Sequence, residues 1–349
     1  MSDWFLRWNN SLREQHRFLF DYETRTIKDA YAQYTNCPVC EKSDAILWFS
    51  KDWFRWFRCR NCQMVYMNPR LNDTATHQFY NSEANAIYNE SKFYQTSEST
   101  SLDDLANESC LFMIDKYRRS TKGSSDGLML EIGSGKGFFL KKAMGIGYKV
   151  YGLELNQISC DISRNLLGPE ASILDVDLVE ASFPSDMFDV IYMRDLIQHI
   201  PDPKIFLSEC RRIIKPDGML FIGTHNIDGI IPRVVKARYT PVFGFMEPNH
   251  FSPRTITRIL EQRGFSVRDI QFKSLDSTVN EILTSLTSPS FTTIFESYSN
   301  TRLNFLLRSL RRLLRLKPLY YIDNIMTPRI ADLIRQGSWM NVMAEKRSG

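Results

Sequence analysis

Leu128-Met129-Leu130-Glu131-Ile132-Gly133-Ser134-Gly135-Lys136-Gly137-Phe138 is the stretch on which the fold turns. An apolar run of strand length ends in three alternate glycines, and a helical pattern starts at Gly137. Glycine is needed where the backbone takes positive φ or where a ligand presses against it. A dinucleotide site uses G-x-G-x-x-G, which seats a pyrophosphate on the helix N-terminus. Here the position three after Gly135 is Phe138, so the spacing is G-x-G-x-G. That loop suits close backbone approach rather than a pyrophosphate cradle.

Working outward, strand-like and helical runs alternate. The pattern predicts strands over 128–132, 149–155, 172–174, 188–193 and 218–224, with helices over 137–144, 157–167 and 203–214 between them. A further helix over 253–263, a strand over 266–272 and a last strand over 339–346 follow. Short-looped strand–helix alternation implies a parallel, doubly wound α/β sheet. Upstream, 1–36 reads as a helical segment, 37–70 as a cysteine-bearing region with short strands, and 71–125 as a helical linker ending in the breaker run Lys122–Gly127. The α/β core is expected over 126–272, and 273–349 as a helical insertion with the final strand.

Further motifs follow in order: Tyr151-Gly152-Leu153-Glu154 at a strand end, Asp175-Val176-Asp177-Leu178 before Phe183-Pro184, and Phe188-Asp189-Val190-Ile191. Then come Gln198-His199-Ile200-Pro201-Asp202-Pro203 and Lys215-Pro216-Asp217-Gly218. A carboxylate at Glu154 can accept from both hydroxyls of a ribose, a role shared with dinucleotide folds.

This ordered set resembles the class I S-adenosylmethionine (SAM)-dependent methyltransferases, and more narrowly the bacterial small-molecule group. The resemblance covers about residues 126–272 and, weakly, 339–346. It implies a Rossmann-like sheet with an antiparallel last strand and SAM as cofactor. Gly133, Gly135 and Gly137 would line its methionine and ribose part, with Glu131 beneath the amino acid end. Glu154 would hold the ribose hydroxyls, and Asp177, with the Leu178 backbone beside it, would accept from the adenine amino group. Asp175 competes with Asp177 by alternation, and either acid can be a solvated loop residue.

Methyl transfer from a sulfonium is an in-line displacement, helped chiefly by placing the acceptor. A base is needed only for an acceptor that is not already nucleophilic. His199 and His225 follow strand ends, where open α/β sheets carry their sites, and each is a candidate general base. His250 is a weaker third candidate, and Arg194 and Asp195 also sit at a strand end. In the resembling group a histidine is common at the His199 position, whereas many members carry proline where His225 stands. His199 can instead cap the Pro201–Pro203 turn, and His225 can be an incidental loop residue. There is no Asn-Pro-Pro-Tyr motif and no Pro-Cys dipeptide of the kinds that base methylases use, which weakens a nucleic-acid substrate.

Cys37-Pro38-Val39-Cys40 and Cys59-Arg60-Asn61-Cys62 have the spacing of a zinc ribbon. Four thiolates close a tetrahedral Zn²⁺ site, structural rather than catalytic. An N-terminal ribbon of this type resembles that of sugar and natural-product C- and O-methyltransferases. Between the pairs, Lys51–Arg58 interleaves basic and aromatic residues. Such a run can stack single-stranded nucleic acid, but more often packs its aromatics into a core. The leucines and arginines of 302–317 form a basic amphipathic pattern. It is more often a core-facing helix with a solvated cationic face than a peripheral membrane contact.

The composition bounds these readings. A formal charge of +4, from 44 basic and 40 acidic residues, is too small to argue for a nucleic-acid partner. No run of apolar residues reaches membrane-spanning length, and Met1–Asn10 lacks a signal-peptide pattern, so a cytoplasmic protein is expected. Of seven cysteines, Cys110, Cys160 and Cys210 stand outside the two pairs, which fits a metal site plus free thiols. The expected activity is methyl transfer to a small-molecule acceptor, a sugar or nucleotide sugar. The rivals are an RNA methyltransferase that holds RNA on the ribbon and a non-catalytic SAM-binding module.

Overall fold

The alternation read from Leu128 onward forms a seven-stranded sheet in the computed structural model, which describes residues 3–87, 102–122, 127–235, 242–273 and 336–347. Contacts group the chain into two units. One, the ribbon unit, comprises Met1–Glu98, His225–Thr255 and Phe272–Trp339; the other, the sheet unit, comprises Ser99–Thr224, Ile256–Gln271 and Met340–Gly349. The helical insertion expected over 275–335, and with it the basic 302–317 pattern, lies outside the described residues. So does most of the Lys122–Gly127 linker.

The ribbon unit starts with helix α1 (Asp3–Leu19). The helix expected over 1–36 stops there because Asp21 takes the chain out of it. Its Oδ1 accepts from Glu23 N at 2.8 Å and Thr24 N at 3.0 Å, a local turn that competes with helix. The short strands Phe20–Asp21 and Thr26–Ile27 then pair antiparallel. Strands β1 (Ala45–Lys51), β2 (Phe54–Cys59) and β3 (Val65–Met67) form an antiparallel sheet, which the two-residue strand Asn249–His250 extends on β3. Helix α2 (Asp73–Tyr80) follows, capped by Asn72. The core gathers Trp8, Leu12 and Phe20 with Phe54, Trp56, Phe79 and Phe245.

The β1–β2 hairpin turns on Asp52 and Trp53, with φ 49° and 65°. Two consecutive left-handed residues define the turn that best matches strand twist, normally an Asn-Gly site. Here a bulky residue holds that conformation because α1 clamps it. His16 Nε2 bonds Asp52 O at 3.0 Å, and the Trp53 ring stands edge-on to His16 at 4.7 Å and to Tyr22 at 4.7 Å. Burial holds the His16 imidazole down at about 4, only partly opposed by the bond to Asp52. A histidine whose folded pKa is depressed stabilises fully above its unfolded value of 6.5 and loses that contribution as pH falls toward 4. Tryptophan fluorescence should therefore report a drop in stability across that window, and a His16→Phe variant should flatten it.

In the sheet unit, helix α3 (Leu102–Lys122) precedes β4 (Gly127–Ile132), α4 (Phe138–Gly145) and β5 (Tyr148–Leu153). Next come α5 (Gln157–Leu167), β6 (Ser172–Leu174), β7 (Phe188–Arg194), α6 (Pro203–Ile213) and β8 (Ile214–His225). Helix α7 (Pro253–Gln262), β9 (Phe265–Lys273) and β10 (Trp339–Lys346) complete it. The strand order is β6-β5-β4-β7-β8-β10-β9, with β6 through β8 parallel. At one end of β10 Asn226 N donates to Ser338 O at 2.8 Å, and at the other Lys346 Nζ donates to Ile214 O at 2.8 Å. The last strand therefore runs antiparallel to β8. The Asp-Pro of the Pro201-Asp202-Pro203 run is a helix start: the Asp202 side chain accepts from Lys204 N and Ile205 N, with Pro203 in the first turn.

Asp189 ties three elements together at the amino ends of the strands. Its Oδ2 accepts from Leu128 N at 2.9 Å and from Lys215 Nζ at 2.7 Å, and Arg118 Nη2 lies 3.5 Å from Oδ1. Burial works against its charge, but the bonds from Lys215 and Leu128 and the Arg118 charge hold the carboxyl below its ordinary value. A depressed carboxylate stabilises above its unfolded pKa and loses that contribution as pH falls through the folded one. Asp189→Ala should lower stability in urea unfolding by about 2 kcal/mol, because it strands a backbone N–H and two cations.

Candidate active site and cysteine cluster

The chain runs from β4 outward to β5 and β6 and returns at β7, on the other side of β4. In an open α/β sheet that reversal opens a crevice at the carboxyl ends of the two central strands. The glycine loop after β4 and the turn after β7 border it. Gly133, Gly135 and Gly137 have φ of 75°, 52° and 79°, all left-handed. Gly133 N and Ser134 N both donate to Leu153 O, at 2.8 and 3.0 Å, which pins the loop to the end of β5. A methyl group at Gly137 would lie 2.3 Å from Ser163 Oγ, so this glycine lets α5 pack; at Gly135 no atom lies within 4 Å of that position. Of the three, Gly135 faces open space that a ligand can use.

Glu154 is locked by backbone. Gly135 N donates to its Oε2 at 2.9 Å and Asn156 N to its Oε1 at 2.8 Å. Each carboxylate oxygen keeps a lone pair for a further donor. Cys160 Sγ holds the Glu154 carbonyl from below at 3.1 Å. Glu131 is 6% exposed, and its Oε2 has no hydrogen-bond partner. Burial, then the Glu154 charge, push its carboxyl well above the ordinary range, with Arg194 pulling the other way. A buried carboxylate oxygen left open beside an open glycine loop fits a cofactor that brings a cation or donor. That is what the amino acid end of SAM carries.

The two competing acids separate. Asp175 Oδ1 is 3.4 Å from Arg164 Nη2, whereas Asp177 caps a turn: its Oδ1 accepts from Val179 N and Glu180 N, at 2.7 and 2.8 Å. Glu180 Oε2 accepts from Asp177 N in return, at 3.2 Å, a reciprocal capping box. Leu178 beside it is buried.

His199 ends a short 3₁₀ turn, Ile197–His199, that follows β7. Gln198 anchors that turn. Its buried side chain donates to Asp195 Oδ1 and accepts from Thr224 Oγ1 at 2.9 Å, which fastens the turn to the end of β8. His225 falls in the ribbon unit, where its ring meets Trp339 edge-on at 4.9 Å. His250, the third candidate, lies on a strand paired with Val65, its ring 6.1 Å from Trp56.

The cysteine pairs fold into matching turns. Cys37 N donates to Lys42 O and Glu41 N to Cys37 O; Cys59 N donates to Met64 O and Gln63 N to Cys59 O. Glu41 and Gln63, each next after the second cysteine of its pair, both take left-handed φ, at 62° and 71°. The four Sγ atoms of Cys37, Cys40, Cys59 and Cys62 lie within 4.8 Å of one another. The hydrogen bond from Cys37 holds the Cys62 thiol low, at about 5, and the same bond pushes Cys37 up. Four convergent thiols, three of them buried, could hold a metal ion, and their number and spacing match the donor set of a structural Zn²⁺ site.

Of the aromatics between the pairs, Phe54 and Trp56 are fully buried in the ribbon unit's own core, and Lys51 is buried with its Nζ on Val242 O at 2.6 Å. Residues that sequence patterns did not single out include Gln198, Thr224 and Asn107, whose roles depend on partners far along the chain.

The sheet order and the glycine loop at the reversal define an open α/β domain of the doubly wound type. Residues 111–270 match a family model described as a methyltransferase domain. A ubiquinone biosynthesis O-methyltransferase of Thiobacillus denitrificans is 24% identical over 194 residues, 52% of this chain and 78% of that protein. A probable S-adenosylmethionine-dependent methyltransferase of Mycolicibacterium smegmatis is 28% identical over 153 residues, 44% of this chain and 57% of that one. Among solved structures, phosphoethanolamine N-methyltransferase 2 of Haemonchus contortus, in complex with SAM, aligns with TM-score 0.43 and 21% identity, covering 68% of this chain and 52% of that one. The chain therefore carries a SAM-dependent methyltransferase domain.

Proposed function

We propose that this chain transfers the methyl group of SAM to a small-molecule acceptor, with zinc in the four-cysteine cluster. The acceptor class is a sugar or nucleotide sugar in surface-glycan or natural-product biosynthesis, and the place of action is the cytoplasm. The observation that carries the cofactor reading is the open Glu131 oxygen beside three left-handed glycines. The small-molecule reading is supported by relatives named as ubiquinone biosynthesis O-methyltransferases.

Bound SAM supplies a methyl on a sulfonium, which is reactive toward an in-line nucleophile. Of the loop's Gly133, Gly135 and Gly137, Gly135 would admit its backbone-hugging part while the other two hold the loop's shape; Glu154 would take the ribose hydroxyls, and Asp177 with Leu178 the adenine. His199 or His225 would take the acceptor's proton where one must leave. An RNA acceptor is not favoured, since Phe54 and Trp56 are buried and cannot stack bases.

Incubating the protein with isotopically labelled SAM and source-cell extract should label one small product, identified by mass spectrometry. Label appearing only in RNA would replace the acceptor reading. S-adenosylhomocysteine (SAH) binding with no labelled product would support a non-catalytic module. His199→Ala and His225→Ala, made separately, test the bases; full activity in both would remove them.

A further inference from the structure

Glu131 and Arg194 stand at the carboxyl ends of the two central strands. Tyr192 is in register with Glu131, and Arg194 is two residues further along the same strand, so all three side chains share one face of the sheet. The Tyr192 ring stacks on Phe139 at 3.9 Å, and both pack with Cys110 and Met129 in the core beneath α3 and α4. On that face Arg194 Nη1 donates to Asn107 Oδ1 of α3 at 3.2 Å, which aims the half-buried guanidinium. Its charge is felt at Glu131. One buried carboxyl with an open oxygen and one steered cation thus share one sheet face at the strand ends from which the glycine loop leaves. A free α-amino acid end presents the matching pair, an ammonium and a carboxylate on one carbon.

We propose that Arg194 binds the α-carboxylate of SAM, with Glu131 facing the α-ammonium and Asn107 as the positioning residue that aims the guanidinium. This rests on the SAM reading of the site. The guanidinium offers two parallel donors to a carboxylate, the geometry that lysine lacks. Arg194 is therefore a cofactor-recognition residue that reads the amino acid end and ignores the nucleoside.

Titration calorimetry of the full chain with SAH and with 5′-methylthioadenosine, which lacks the amino acid end, separates the two halves of the cofactor. Arg194→Met should weaken SAH by roughly tenfold to a hundredfold and leave methylthioadenosine within about twofold. Arg194→Lys should retain part of the SAH affinity. Asn107→Ala should cost about threefold to tenfold on SAH alone, since only the aim of the charge is lost. Equal losses on both ligands, or no loss on either, would overturn the assignment; the second result is also what an acceptor-facing Arg194 would give. Should Arg194→Met fail to melt cooperatively, the Lys and Asn107 variants decide by the same comparison. Wild-type protein that binds neither ligand would instead defeat the SAM reading itself, and the assignment with it.

Discussion

Cys59→Ser should cost the ribbon unit its cooperative fold. A structural zinc site supplies apparent binding energy of about 10–16 kcal/mol that appears as folding energy, as large as the whole net stability of a domain, about 5–15 kcal/mol. Here the metal would join two turns of matching hydrogen bonding, one before β1 and one between β2 and β3. Cys59 is fully buried, and its backbone also bonds to Met64. Serine keeps the turn but gives a poor ligand, so three thiols would face one another without a cation to hold them. The purified protein should contain about one zinc per chain by elemental analysis, with a chelator lowering the melting temperature as the substitution does. A metal-free preparation that melts like the wild type would end the zinc reading.

The second large effect concerns the glycine loop, where two similar substitutions should part ways. Gly137→Ala forces a side chain into a left-handed residue and sets its methyl 2.3 Å from Ser163 Oγ and 3.0 Å from Leu167 Cδ1. Together these should cost about 2–4 kcal/mol of stability, as overpacking plus backbone strain. Cofactor binding falls with it, since the loop and α5 separate. Gly135→Ala meets no atom within 4 Å and carries only its φ of 52°. Its stability cost should be about 1 kcal/mol, while SAH affinity drops at least about tenfold because the methyl takes space left for the ligand. Thermal melts and calorimetry on the two variants check this. Equal stability losses would mean that both glycines serve packing, and unchanged SAH affinity in Gly135→Ala would place the ligand elsewhere.

The parallel strands and their helices were legible because both periods are local. Leu128–Ile132 reads as a strand, and the glycines after it announce the turn. Glu154 was legible for the same reason, as a carboxylate at a strand end. The CxxC pairs needed only their spacing. Other parts were not legible. The early end of α1 depends on a turn built by Asp21, whose Asx bonds compete with a plausible helical pattern. Asn249–His250 reads as loop because two residues carry no periodicity; only Val65 and Tyr66 make them a strand. The partners of Arg194 and Gln198 are 87 and 26 residues away in the chain. No local pattern encodes such pairings, and neither signal could have been found without the sheet's register.

By itself the sequence determined the kind of site: a doubly wound sheet, three glycines that exclude a pyrophosphate cradle, an acid after the second strand and a four-cysteine cluster. Each follows from residues a few positions apart, where backbone geometry leaves few choices. The tertiary structure alone decided which groups are left open. It buried Glu131 without a partner for one oxygen, locked Glu154 on two backbone donors, paired Asp175 with Arg164 and steered Arg194 with Asn107. Those outcomes depend on which strands become neighbours and on how much water each group retains, and both are settled only when distant segments pack.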